Sequence, residues 1–190
     1  IYSLLCEIQK LSFRKIYSLS ITYLPMSNKK ILIICFSFHH GNTLKIAKVI
    51  AKQLDAIIKK PAEIKPEDIK KYDIIGFGSG IDSDRHYKPI YNLIDKLPNQ
   101  NGKKTFSFCT SGTPIKFLGK KFFYNYTKKC TDILEKKLKE KKFTIIGAFS
   151  CPGFNTNLFL KYIGGTNKYR PNEEDLKNAK DFALKLKDSF

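Results

Sequence analysis

The chain has no tryptophan and one methionine, Met26. Its five cysteines, Cys6, Cys35, Cys109, Cys130 and Cys151, stand far apart with no CxxC among them. An odd and scattered set leaves no pattern for a zinc or iron–sulfur knuckle and no framework of disulfides, and it suits a reducing cytoplasm. No stretch of about 20 apolar residues occurs, so no segment is written to cross a bilayer and no membrane is expected among the partners. Histidine is scarce too: His39, His40 and His86, with neither HxxxH nor HxH spacing, offer little to a metal, even with Asp82 and Asp84 close to His86 in sequence.

Acid is the minority charge. Asp plus Glu number 17 against 35 Lys plus Arg, a formal charge of +18. Such a balance raises nucleic acid as a partner class. The lysines of KKCTDILEKKLKEKK and KNAKDFALKLK alternate with acids on helix faces, however, and no nucleic-acid motif is present, so a solvated lysine-rich surface is the expectation.

What remains is 190 residues, enough for one domain with a full core. Residues 1–25 stand apart, with a repeated IYSL at Ile1 and Ile16 and basic residues Lys10, Arg14 and Lys15. Met26 directly precedes the polar lead into the first apolar run. The expected domain is therefore 26–190, with 1–25 a leader, either upstream sequence or a targeting segment.

The organising stretch is Lys30 to Leu54. Lys30 to Phe36 is short, isoleucine-rich and without alternation, which predicts a strand covered on both faces. Ile46, Ala47, Ile50, Ala51 and Leu54 then share one face of a helix. Between them lies Ser37-Phe38-His39-His40-Gly41-Asn42-Thr43. The first amides of a helix lack intrahelical partners and carry partial positive charge, so this loop can hold an anion. Equally, Asn42 or Thr43 can simply cap the helix.

Further strands are predicted at Ala56–Ile58, Tyr72–Gly78, Lys104–Cys109 and Phe143–Phe149. Helices are predicted at Lys88–Leu97, at about Phe123 to Lys142 with Tyr126, Cys130, Ile133, Leu134 and Leu138 inward, and after Pro171 with Asn172 as cap. The glycines of Gly76-Phe77-Gly78-Ser79-Gly80 do not make GxGxxG and follow a later strand, which argues against a dinucleotide fingerprint. Five strands alternating with helices predict an α/β fold, an open parallel sheet with helices on both faces. Three Ser/Thr/Gly-rich loops, Ser37–Thr43, Gly78–Tyr87 and Thr110–Thr113, fall at one edge of it, where ligands bind in such sheets.

At these loops the sequence resembles the flavodoxin family, over nearly all of Lys29 to Lys187. HHGNT resembles the end of the family's phosphate loop, GFGSGI its second flavin-flanking loop and CTSG its third; PNEEDLKNAKDFA resembles the last helix of a prokaryotic branch carrying that His-His-Gly-Asn-Thr loop. The resemblance implies a flavodoxin-like, doubly wound five-stranded sheet of order 2-1-3-4-5, and FMN as cofactor. It would place the FMN phosphate on Gly41, Asn42 and Thr43, with Ser37, His39 and His40 as further candidates. Ser79, Gly80, Ile81, Thr110, Ser111 and Gly112 would border the isoalloxazine ring. Two histidines stand where short hydroxyl residues usually precede that glycine, and Ser37 lies four residues before Gly41 rather than three. Tyr87 is a candidate to stack on the ring, with Phe117, Phe122 and Phe154 as competitors; Cys109 reads as a small buried residue.

The implied function is a cytoplasmic electron carrier with acidic redox partner proteins. The alternatives are an NAD(P)H-dependent flavin or quinone reductase of the same fold, and a basic nucleic-acid-binding module without flavin. Family members are usually acidic; this charge implies a less negative potential for the second electron.

Overall fold

From Ile31 to Cys35 every side chain of the first strand, β1 (Ile31–Phe36), is buried, which is why its sequence shows no alternation. The computed structural model describes residues 29–190, and the leader expected at 1–25 lies outside the described residues. Beyond β1 the chain forms α1 (Asn42–Leu54), β2 (Ile57–Lys59), β3 (Ile74–Asp82), β4 (Arg85–His86) and α2 (Lys88–Lys96). It continues through β5 (Lys104–Ser111), α3 (Ile115–Glu140), β6 (Thr144–Pro152) and α4 (Glu173–Lys187). Short 3-10 turns span Pro61–Glu63, Pro66–Lys71 and Leu158–Ile163.

The parallel strands lie in the order β2-β1-β3-β5-β6, the 2-1-3-4-5 arrangement of the doubly wound sheet. Alternate residues of β1 feed opposite cores. Ile31, Ile33 and Cys35 pack with Ile46 and Ile50 of α1 and with Ala179 and Leu186 of α4. Leu32 and Ile34 pack on the other side with Ile90 and Ile94 of α2 and Leu134 and Leu138 of α3. The chain leaves β1 toward β2 on one side and returns to β3 on the other, so a crevice opens beyond the ends of β1 and β3.

Three departures from the sequence expectation have physical causes. β3 runs past Gly78 to Asp82 and folds back through the antiparallel strand β4, turning at Ser83 and Asp84, whose φ values are 49° and 61°. Two successive left-handed residues suit a tight hairpin, and here Ser-Asp supplies them without glycine. The long helix begins at Ile115, not near Phe123, and is interrupted at Gly119 (φ 80°, ψ 162°). Its buried stripe is Phe123, Thr127, Cys130, Thr131, Leu134 and Leu138, whereas Ile133 is 45% exposed and Tyr126 only half-buried. Thr127 is tolerated inside because its hydroxyl donates to Phe123 O at 3.0 Å. The final helix matches its signals: Asn172 Oδ1 accepts from Asp175 N at 3.1 Å, and Asp175 Oδ2 accepts from Asn172 N at 2.9 Å.

The glycines of β3 turn out to be packing devices. Gly76 pairs with Phe106 and Gly78 with Phe108 across the ladder. A Cβ on Gly76 would lie 2.4 Å from the Phe106 ring, and one on Gly78 would lie 2.0 Å from the Phe108 ring. Both rings are fully buried in the space the missing side chains leave. Gly78→Ala should therefore destabilise the domain by ~1–3 kcal/mol through overpacking, read as a lower denaturant midpoint with an unchanged slope; an unchanged midpoint would refute this account.

Candidate functional site

The turn between β1 and α1 is built from two successive left-handed residues, His40 (φ 52°) and Gly41 (φ 67°). Gly41 is the N-cap of α1 and brings no side chain to the helix end, and no acidic residue stands in the first turn. Lys45 N–H makes the first helical bond, to Gly41 O at 2.9 Å. Among the described residues, no acceptor lies within bonding range of the Thr43 and Leu44 amides. The contrast with α4 is instructive, because that helix closes its N-terminus with a capping box and three acids, Glu173, Glu174 and Asp175. The same chain leaves α1 open, with its dipole uncompensated.

This open end faces a cleft. His39, Asn42 and Thr43 line one wall, Gly80, Ile81 and Tyr87 a second, and Thr110, Ser111 and Gly112 a third. Phe38 and the segment Gly153 to Asn157 complete it. The walls are bonded to one another: Thr43 Oγ1 meets Thr110 Oγ1 at 2.8 Å, Asn42 Nδ2 donates to Phe154 O at 2.7 Å, and Gly153 N donates to Ser111 O at 2.8 Å. Close approach requires bare backbone. A Cβ on Gly80 would meet Tyr87 at 2.9 Å, one on Gly112 would meet Asn155 at 2.4 Å, and one on Gly153 would meet Asn42 at 2.8 Å. Asp, Glu, Lys and Arg are all missing from the lining, although 27% of the chain is charged.

Eight of the residues singled out in the sequence thus come together: His39, Asn42, Thr43, Gly80, Ile81, Thr110, Ser111 and Gly112. Gly41 shapes the turn behind them. His40 leans away, its Nε2 2.7 Å from Thr156 Oγ1 and its ring 4.6 Å from that of Phe154. Ser37 lies on the β2 side of the loop, in a hollow it shares with Lys48 and Lys59, and its buried hydroxyl has no partner. Tyr87 and Phe154, weighed as ring partners, do line the cleft, whereas Phe117 is 86% exposed and Phe122 49%. Phe38, Gly153, Asn155 and Asn157 escaped the sequence argument. The signal for the last three was that the fifth long strand ends at the same sheet edge as the others.

Ser79 serves the site from behind. Its hydroxyl donates to Gly80 O at 2.8 Å and accepts from Tyr87 N at 3.1 Å. With that proton committed, Nδ1 of His86, 2.9 Å away, must be the donor to Ser79 Oγ. One buried hydroxyl therefore ties β3 to the start of α2. Burial pushes the His86 imidazole down to about 3, so it is neutral, and raises the Cys35 and Cys109 thiols to about 12, so both are inert.

The flavodoxin-domain family model matches residues 33–156. The chain belongs to the flavodoxin family. An uncharacterised protein of Methanocaldococcus jannaschii is 46% identical over 157 residues, covering 83% of this chain and 97% of that protein. The fold matches oxidised flavodoxin 2 of Bacillus cereus with a TM-score of 0.63 at 22% identity, over 85% of this chain and 99% of that one. It also matches an NADH:FMN oxidoreductase with a TM-score of 0.53 at 13% identity, over 86% and 90% of the two chains.

A domain of this family implies a flavin, and the residues fit one. The unpaired amides of α1 suit its phosphate. The buried Asn42 Oδ1, which has no partner, is an acceptor open to a donor on the guest. The free cavity is only about 60 Å³, small against the ~300–1,000 Å³ of ligand pockets. Its outer wall is the ring of Phe38, which is 68% exposed and 6.1 Å from that of Tyr87.

The neutral buried His86 sets a pH dependence. Its folded pKa lies below the unfolded value of 6.5, so below pH 6.5 the unfolded chain binds a proton that the native state refuses, and stability falls as pH drops toward about 3. The unfolding free energy of His86→Asn, which keeps a donor for Ser79, should vary with pH less steeply than wild type by ~1 kcal/mol per pH unit between those values. Parallel curves would overturn the assignment.

Proposed function

We propose that the protein binds FMN in this cleft and carries electrons between acidic redox partners in the cytoplasm. The observation that carries the reading is the uncapped, acid-free N-terminus of α1 opening into a cleft without charged side chains. The phosphate would rest on the amides of the first turn and the Thr43 hydroxyl, held by dipoles rather than by lysines. Gly80, Ile81, Tyr87, Thr110, Ser111 and Gly112 would border the ring. Bound there, the flavin supplies one- and two-electron chemistry. The lining offers no carboxylate or ammonium, and its one imidazole, His39, stands at the phosphate end rather than beside the proposed ring wall, which favours a carrier over an enzyme with its own substrate.

The purified protein should be yellow and release FMN on denaturation. A colourless protein that takes up no added FMN would overturn the reading, and steady NAD(P)H oxidation by the isolated protein would favour a reductase. Leu44→Glu gives a sharper test, because Leu44 is the third residue of α1 and is 37% exposed. A carboxylate there complements the dipole and reaches back to the free amides. It should raise the melting temperature of the flavin-free protein while weakening FMN binding about tenfold in a fluorescence titration; effects of the same sign would count against the site.

With no acid in the lining and a strongly basic exterior, the second electron should be taken up at a less negative potential than in acidic members of the family. Potentiometric titration at low and high salt measures this, since surface lysines act only through a screened field of ~8 Å reach. A very low potential that ignores salt would contradict it.

A further inference from the structure

The acids are unevenly placed. From Lys96 to Thr131 and from Lys141 to Asn172 the chain carries no Asp or Glu but thirteen Lys and Arg. These stretches supply β5, the start of α3, β6 and the loop before α4; Lys103, Lys104, Lys141 and Lys142 lie at the opposite ends of β5 and β6, and the parts carrying Lys116, Lys121, Lys161 and Lys168 form a rim beside the cleft. Ile115 N donates to Asn167 Oδ1 at 3.2 Å, Asn167 Nδ2 donates to Thr113 O at 2.9 Å, and the Thr166 hydroxyl donates to Gly112 O at 3.1 Å.

That rim also carries large apolar groups in solvent. Phe117 is 86% exposed, Leu118 48%, Phe122 49%, and Tyr162 and Tyr169 80% each. The break at Gly119 sets the turn Ile115–Leu118 off from the body of α3, and a Cβ there would meet nothing within 4 Å. A basic residue directly precedes each exposed ring: Lys116 before Phe117, Lys121 before Phe122, Lys161 before Tyr162 and Lys168 before Tyr169. The last two place their ammonium groups 4.8 and 5.4 Å from the ring centroids.

We propose that this rim docks on the surface of an anionic lipid bilayer, with Phe117, Leu118 and Phe122 entering the headgroup–acyl boundary and the lysines on the phosphates. Phenylalanine and leucine for the acyl edge, tyrosine for the headgroup level and lysine for anionic lipid are the three chemistries of an interfacial surface. A folded acidic partner would offer pockets for a few clustered anchors. Here basic and aromatic residues adjoin in sequence at four separate places, two of them with the ammonium against the ring, a distribution suited to a continuous plane of headgroups. No helix among the described residues is long and apolar enough to cross a membrane. The rim itself would rest on the surface, so the expectation of no membrane partner gives way in this proposal to a peripheral one.

Co-sedimentation with vesicles tests this, and it needs no flavin, so it stands or falls apart from the proposed cofactor. The protein should pellet with vesicles of phosphatidylcholine mixed with phosphatidylglycerol and not with phosphatidylcholine alone. Phe117→Ser with Phe122→Ser, and separately Lys116→Glu with Lys121→Glu, should each weaken binding about tenfold or more. All four side chains are exposed, so circular dichroism should be unchanged; Phe117→Ser alone serves if a double variant misfolds. No pelleting with any vesicle, as an acidic protein partner would give, or pelleting indifferent to lipid charge and to the variants, would overturn the proposal.

Discussion

The Thr43 and Leu44 amides in the first turn of α1 need an acceptor, and none of the described residues provides one. A helix end that faces solvent is served by water, and one that faces protein is normally closed by a side chain, as Asn172 and Asp175 close α4. In α1 the left-handed pair His40 and Gly41 turns the chain sharply while keeping every side chain off the helix end. The positive end of a thirteen-residue helix is thus delivered to a cleft floor of hydroxyls and bare backbone. The rest of the architecture holds that end in place, through alternate residues of β1 locked into two cores and through the Thr43–Thr110 and Asn42–Phe154 bonds between loops.

The second wall depends on buried polarity of a different kind. Ser79, with one hydroxyl, satisfies Gly80, Tyr87 and His86, and so fixes the strand end, the hairpin and the start of α2 in one geometry. Full burial keeps the imidazole of that hub neutral, so its donor brings no charge into the core. His86 was weighed in the sequence as a metal ligand beside two aspartates; it is an internal donor.

Much of the fold was legible because its signals were strong and local. The unalternating isoleucines of β1, the apolar stripe of α1 and the Pro171–Asn172 start of α4 each followed from side-chain chemistry within a few residues. Sequence reasoning failed where tertiary context decided. Gly76 and Gly78 read as strand residues, but nothing nearby in sequence announces the Phe106 and Phe108 rings lying over them. Phe117 and Phe122 were weighed as ring-stacking partners, but they stand on either side of the Gly119 break and are exposed. For the site, the three hydroxyl-rich loops were visible and eight of their residues converge. The segment Gly153 to Asn157 was not, since its role comes from strand β6 ending beside its neighbours rather than from any motif.

The want of charged side chains in the cleft frees the outside of the molecule from the inside. The crevice presents hydroxyls, amides and bare backbone, and no exchange of lysine for glutamate on the surface removes them. The exterior is therefore at liberty to drift with the amino-acid bias of its host, and a lineage can turn the whole surface basic without rebuilding the pocket.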